Sequence, residues 1–278
     1  MTATDDGAMT RRGVLASAGA GASAAALGSA PASAQTGAPK TFVLVHGAWH
    51  GGWCWRRVAD LLQKRGHTVF TPTMTGLGER AHLIDGKVNL ATHVRDIVNV
   101  IKWEGLNDVV LVGHSYGGII ISGVAEELRE AIGSIVFLDA FVPENGDNLA
   151  AKASQRVREA IAAAVEKGET VIKPVSAAVF RVNEKDRGWV DAMCTPHPLA
   201  TFTDKITITG ARERIAKKAY IRAKGYPSIA FDGTQEQLKA DAAWRIYELP
   251  CGHDAMVDMP DRLRRFCWKW RSCCSLLS

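Results

Sequence analysis

A mostly parallel α/β sheet flanked by helices is what this sequence predicts, on three observations. From residue 40 onward, short apolar runs alternate with helical stretches. The runs are apolar throughout rather than every second residue, as strands covered by helices on both faces must be. Glycine-rich turns rich in His and Ser follow those runs, at the sheet end where open α/β sheets bind ligands.

Thr41–Val45 is the first strand, β-branched and apolar, ending at His46-Gly47. Trp53–Arg65 has helical spacing and stops at Gly66. Thr68–Thr71 is a short strand closed by Pro72. Thr92–Trp103 is an amphipathic helix with Val94, Ile97, Val98 and Ile101 on one face. Val109–Val112 is a fully apolar strand, Ile119–Arg129 a helix and Ile135–Leu138 a second buried strand. Ala219–Ile221 and Arg245–Leu249 complete a sheet of about six strands, and a last helix runs over Asp261–Trp270. Pro143 to Thr209 breaks the alternation: it holds a polar-faced helix, Ala151–Lys167, then Trp189, Met193 and Phe202 among prolines, with no clear buried strand. It reads as a helical cap insertion (residues 143–209) folded over one end of a core made of residues 39–142 and 210–270, with an irregular tail at 271–278.

Residues 1–38 stand apart. Arg11-Arg12 precedes a weakly apolar Ala/Gly run, Ala16 to Leu27, and Ala32-Ser33-Ala34 follows as a small-x-small cleavage site. That order is an export signal of the twin-arginine type, which predicts a periplasmic or secreted protein. The run is too short for a membrane helix and no other stretch reaches about 18 apolar residues, so no membrane partner is expected after export.

Composition excludes several classes. The 278 residues are 47% hydrophobic and 23% charged, which excludes disordered and collagen-like chains. A net charge of +5, with several basic residues near the ends, gives no basic patch that would imply nucleic acid. Six cysteines without a C-x-x-C pair indicate neither a disulfide scaffold nor zinc, and no metal is expected. Oligomeric state is not specified.

The chemistry concentrates in four places. Gly113-His114-Ser115-Tyr116-Gly117 follows an apolar strand and precedes a helix, the setting of a Gly-x-Ser-x-Gly nucleophile turn. Its glycines remove side chains that would collide at the bend, and the helix N-terminus faces developing negative charge. The loop His46-Gly47-Ala48-Trp49-His50-Gly51-Gly52-Trp53 lies beside such a turn, which makes the backbone N–H groups of Ala48 and Tyr116 the oxyanion donors and leaves His46 and His50 as packing residues. His253 follows the last strand in Pro250-Cys251-Gly252-His253-Asp254 and is the candidate general base. For the acid, Asp139 ends the strand beside the nucleophile strand, where a charge behind four apolar residues needs a partner. Asp232 is the alternative. Asp254 points elsewhere in this reading and Asp258 caps or solvates the final helix.

These motifs, with Phe137-Leu138-Asp139-Ala140-Phe141-Val142-Pro143 and Gly252-His253-Asp254-Ala255-Met256, resemble the α/β-hydrolase superfamily over residues 40–268. They are most similar to the plant methylesterase and hydroxynitrile lyase branch and its bacterial esterase relatives. The resemblance implies a Ser-His-acid triad, no cofactor, and small ester substrates under a helical cap. The lyases it resembles carry threonine where Gly47 stands, so Gly47 indicates the hydrolase form. The plant enzymes place their acid just after the penultimate strand, where this chain has Ala223-Lys224-Gly225-Tyr226-Pro227 and no carboxylate.

The expected function is therefore cleavage of small, apolar or aromatic carboxylic esters through Ser115, His253 and Asp139. Gly47, Trp49, Tyr116, Phe141, Trp189 and Met193 are the candidate pocket residues. Cyanohydrin cleavage and non-catalytic binding of a small molecule are the alternatives, and Ser115 excludes an aspartate-nucleophile dehalogenase.

Overall fold

The computed structural model describes residues 38–268, so the expected export signal over residues 1–37 and the tail after 268 lie outside the described residues. In chain order the elements are β1 (Thr41–Val45), α1 (Arg56–Gln63), β2 (Thr68–Phe70), α2 (Leu90–Trp103), β3 (Val109–His114), α3 (Gly117–Leu128) and β4 (Ile132–Leu138). There follow α4 (Leu149–Lys152), α5 (Gln155–Glu166), β5 (Val171–Ile172), α6 (Glu184–Met193), β6 (His197–Pro198) and α7 (Ala200–Thr203). The chain closes with β7 (Lys218–Ala223), α8 (Ile229–Lys239), β8 (Trp244–Leu249), α9 (Ala255–Asp258) and α10 (Pro260–Trp268).

The main sheet has six strands in the order β2-β1-β3-β4-β7-β8, and every pair is parallel. β3 and β4 lie in its middle. All six residues of β3 are buried, as the unbroken apolar run Val109–Val112 requires. The chain leaves β1 toward β2 on one side and later fills β3, β4, β7 and β8 on the other. The C-terminal ends of β1 and β3 are therefore the topological switch point, where such sheets take ligands.

Helix boundaries shift from the sequence expectations for local reasons. α2 begins at Leu90, two residues before the expected Thr92, because Asn89 accepts a hydrogen bond from the Thr92 N–H while the Thr92 hydroxyl caps the Asn89 N–H. The stretch from Trp53 opens as a tight 3-10 turn over Gly52–Trp55 and becomes α-helical only at Arg56.

The segment between β4 and β7 is the cap. The expected helix Ala151–Lys167 is two helices, α4 and α5, split at Ala153, whose backbone is extended with ψ 164°. Ser154 at the split favours a helix start over a helix interior. β5 and β6 form a two-stranded antiparallel ladder that the sequence reading missed; two residues per strand carry no readable period. α6 and α8 were also missed, since each carries a glycine, Gly188 or Gly233, inside a weakly periodic run.

Candidate active site

Ser115 sits at the end of β3 with φ +53°, a left-handed conformation that costs a side-chain-bearing residue roughly 1–2 kcal/mol. The bend is tight: a Cβ on Gly113 would stand 2.5 Å from the Gly117 carbonyl oxygen. Ser115 N–H donates to Leu138 O at 3.2 Å, and its carbonyl accepts from Gly118 and Phe141. The loop after β1 presses against this bend, since a Cβ on Gly47 would lie 3.0 Å from that of Ser115. Ala48 is thereby beside the serine, and Tyr116 opens α3.

His253 follows β8. Its Nδ1 is 2.6 Å from Asp139 Oδ2, and its N–H donates to Phe180 O of the cap at 2.8 Å. Its ring lies 4.5 Å from that of His114, the neighbour of Ser115, and the His114 ring donates from Nε2 to the His253 carbonyl at 3.0 Å. The structure thus brings Ser115, His253 and Asp139 to one end of the sheet. Asp139 is fully buried, with φ +43°. Asp232 is elsewhere: it pairs with Lys224 at 2.8 Å and Arg222 at 3.1 Å, and Lys224 first, then Arg222, hold its carboxyl below the ordinary range.

Aromatic rings enclose the imidazole. Tyr226, Phe180 and Phe231 have centroids 4.6, 5.4 and 5.6 Å from that of His253, and Phe141 packs on Phe231 at 4.9 Å. The sequence reading missed Phe180, Tyr226 and Phe231, and also Arg222 behind Asp139. Arg222 had a legible signal: a charge next to the apolar run Ala219–Ile221 implies a buried carboxylate partner.

The other histidines form a polar layer behind the bend. Burial, outweighing its bond to the Gly47 carbonyl, lowers His46 to about 3 and keeps it neutral, so Nδ1–H donates to Gly47 O while Nε2 accepts from Met74 N–H. His93, lowered by burial to about 4, donates to Thr75 O and accepts from the Tyr116 hydroxyl. His197 accepts the Trp49 N–H at 3.1 Å. Burial opposes a charge on His50, but Asp254 overrides it and raises His50 above its ordinary value. The same burial would raise Asp254; His50 and His114 hold it below the carboxylate range instead.

The expected pocket residues divide. Trp49, at φ +65°, packs on Phe180 and Phe202, and Phe141 is half-buried beside Ser115. The Tyr116 side chain is fully buried among His93, His197 and Phe202. Trp189 packs on Trp53 at 5.0 Å under the Arg57 guanidinium, at the joint of cap and core. Met193 is 37% exposed. Asp258, expected to cap or solvate the final helix, accepts from Gly252 N–H and from Asn183 of the cap. Among the described residues no cluster of His, Cys, Asp or Glu is arranged to hold a metal, and no helix is long and apolar enough to cross a membrane.

Comparisons with known proteins agree with this geometry. Residues 42–266 match the model of the alpha/beta hydrolase family. A carbendazim hydrolyzing esterase of Nocardioides sp. (strain SG-4G) is 44% identical over 231 residues, 80% of this chain and 96% of that protein. Methylesterase 7 of Arabidopsis thaliana is 36% identical over 107 residues, 38% of this chain and 41% of that protein. Among solved structures, an extracellular alpha/beta-hydrolase from a Paenibacillus species superposes with a TM-score of 0.73 at 26% identity, over 83% of this chain and 98% of that one.

Proposed function

Because the chain belongs to the alpha/beta hydrolase family, we propose that it is a carboxylesterase in which Ser115 is the nucleophile, His253 the general base and Asp139 the acid. Ser115 Oγ attacks the ester carbonyl as His253 Nε2 takes its proton. The N–H groups of Ala48 and Tyr116 stabilise the oxyanion. The alcohol leaves with the proton from His253, and water, activated by the same imidazole, releases the acid from the acyl-enzyme. Asp139 keeps the proton of the resting ring on Nδ1 and offsets the imidazolium that forms. The observation that carries this reading is the buried 2.6 Å contact between Asp139 and His253, beside a serine in a left-handed bend.

Substrates are small and apolar, with an aromatic part suited to the rings of Trp49, Phe141, Phe180, Tyr226 and Phe231. Carbendazim, a methyl carbamate on a flat heteroaromatic ring, is a specific candidate, supported by the Nocardioides relative. The cap over residues 143–209 closes the pocket in this reading, and residues 1–38 direct export.

The test is pre-steady-state hydrolysis of p-nitrophenyl butyrate, followed by a panel that includes carbendazim. The wild type shows a burst of nitrophenol, and Ser115→Ala lowers kcat by about 10⁴-fold or more. Full turnover by Ser115→Ala overturns the proposal, as does tight binding of these esters without hydrolysis. Cyanide release from mandelonitrile in place of ester cleavage points to the lyase reaction.

A further inference from the structure

Strand β7 carries a charge that its surroundings do not tolerate unpaired. Arg222 is 1% exposed, next to the buried residues Ala219, Tyr220 and Ile221. Its guanidinium is satisfied on every side. Nη1 donates to Asp139 Oδ1 at 2.7 Å and to Ala223 O at 2.5 Å. Nη2 donates to Tyr226 O at 2.6 Å, and Nε to Asp232 Oδ1 at 3.1 Å. Burial works against its charge, yet Asp139 and Asp232 outweigh burial and raise Arg222 above its ordinary value.

The two oxygens of Asp139 are thereby divided. Oδ1 accepts from Arg222 and from the Ala223 N–H at 3.0 Å, so only Oδ2 faces the imidazole. Arg222 also holds the backbone of Tyr226, whose ring lies 4.6 Å from His253. We infer that Arg222 is a positioning residue for the proposed ester hydrolysis: it turns Asp139 with one oxygen toward His253 and seats Tyr226 against the base, while Asp232 anchors it from the solvent side. The inference rests on the triad assignment above.

A purely structural arginine supplies shape. This one also supplies a positive charge against the carboxylate that faces the base. Without it the Asp139–His253 pair holds its shared proton more tightly, so a neutral base forms only at higher pH. The other titratable groups around the pair are His114 on β3, Cys251 and Asp254 beside His253, His50 against Asp254, Tyr220 on β7, Lys224 and Tyr226 in the following loop, and Asp232 on α8. Tyr226 and Asp232 bond Arg222 directly and lose that bond when it is changed; the others keep their own partners.

The experiment compares Arg222→Gln, Arg222→Lys and Asp232→Asn with the wild type by two readouts. One is the pH profile of kcat/KM on p-nitrophenyl butyrate. The other is the downfield proton NMR signal of the imidazole Nδ1–H facing Asp139, which needs no turnover. Arg222→Gln moves the acidic limb upward by about one pH unit, lowers kcat by about 10- to 100-fold with a smaller change in KM, and shifts or broadens the downfield proton. Arg222→Lys keeps the charge and the position of the limb, but loses the bridge to Tyr226 and lowers kcat by about 10-fold. Asp232→Asn keeps an oxygen acceptor for Arg222 Nε and removes only a half-exposed charge beside Lys224, so the limb moves far less than in Arg222→Gln. A folded Arg222→Gln with a wild-type limb and an unchanged downfield proton overturns the inference. Should Arg222→Gln not fold, an Arg222→Lys enzyme with wild-type kcat overturns it equally. A triad failure is distinct: there Ser115→Ala retains turnover, while the downfield proton still reports whether Arg222 orders Asp139 against His253.

Discussion

His50 carries two protons for a geometric reason. Its Nδ1 is 2.8 Å from Ala48 O and its Nε2 is 3.0 Å from Asp254 Oδ2, and both partners can only accept. The ring is therefore an imidazolium, buried against a buried carboxylate. It ties down the carbonyl of Ala48, whose N–H is the proposed oxyanion donor, so it sets the loop without touching substrate. Asp254→Asn leaves a buried charge without its partner and is expected to cost roughly 3–5 kcal/mol. The pH dependence follows from the two shifts. His50 is raised above 6.5, so its contribution is full below that value and is lost as pH rises through the folded-state value. Asp254 is depressed below 3.8, so its contribution is full above that value and is lost as pH falls through the folded-state value. The gap in Tm between wild type and Asp254→Asn should be widest between about pH 4 and 6.5 and narrow at strongly alkaline pH. A constant gap across that range refutes the ion pair. Sequence reading reached His50 as a packing residue but not its charge, because its partner lies 204 positions away. It reached Asp139 by asking what a carboxylate behind four apolar residues would pair with. The same question failed at Arg222 only because the expected strand, Ala219–Ile221, stopped one residue short of it.

At the scale of elements, one of the joints between cap and core is the corner where α1 meets α6. Arg57 of α1 grips Asp186 of α6 through two bonds of 2.7 Å, and Trp189 lies under the guanidinium at 5.2 Å. The Arg57 hydrogen bonds, ahead of opposing burial, bring Asp186 down to about 2. Asp258 of α9 then joins Asn183, at the start of α6, to Gly252, next to the base. The cap and the His253 loop thus share a fastening, which Phe180 O doubles by accepting the His253 N–H. Because Arg57 is 40% exposed, solvent weakens the pair, and Arg57→Met is expected to cost about 1 kcal/mol, or about 2–4 °C in Tm. Its larger effect falls on substrate: KM rises several-fold while kcat changes less, because the cap wall shifts and the triad does not. Asp186 is depressed, so this stabilisation holds above pH 3.8 and is lost as pH falls toward about 2. An unchanged KM for Arg57→Met shows that the corner does not position the cap. None of this was legible in the sequence. Cap helices such as α6 owe their place to contacts from distant segments, whereas β1, β3 and β4 announce themselves through unbroken apolar runs that only a sheet covered on both faces can accept.

For the whole molecule, the described core runs from Phe42 to Leu263, and Cys54, Cys194 and Cys251 are free thiols. Burial first, with nearby carboxylates, pushes Cys194 and Cys251 up to about 12, where little reactive thiolate forms. We propose that residues 1–38, with Arg11-Arg12 ahead of a weakly apolar run, direct twin-arginine export. Expressed in a bacterium with that export route, the wild-type chain should place its esterase activity in the periplasm, with Gln35 as the new N-terminus. The paired change Arg11→Lys and Arg12→Lys should hold the activity in the cytoplasm at the same kcat/KM, since it alters only the proposed export segment and leaves Ser115, Asp139 and His253 as they are. Equal cytoplasmic activity from both chains, with the leader still attached, removes the export proposal and leaves the esterase proposal standing.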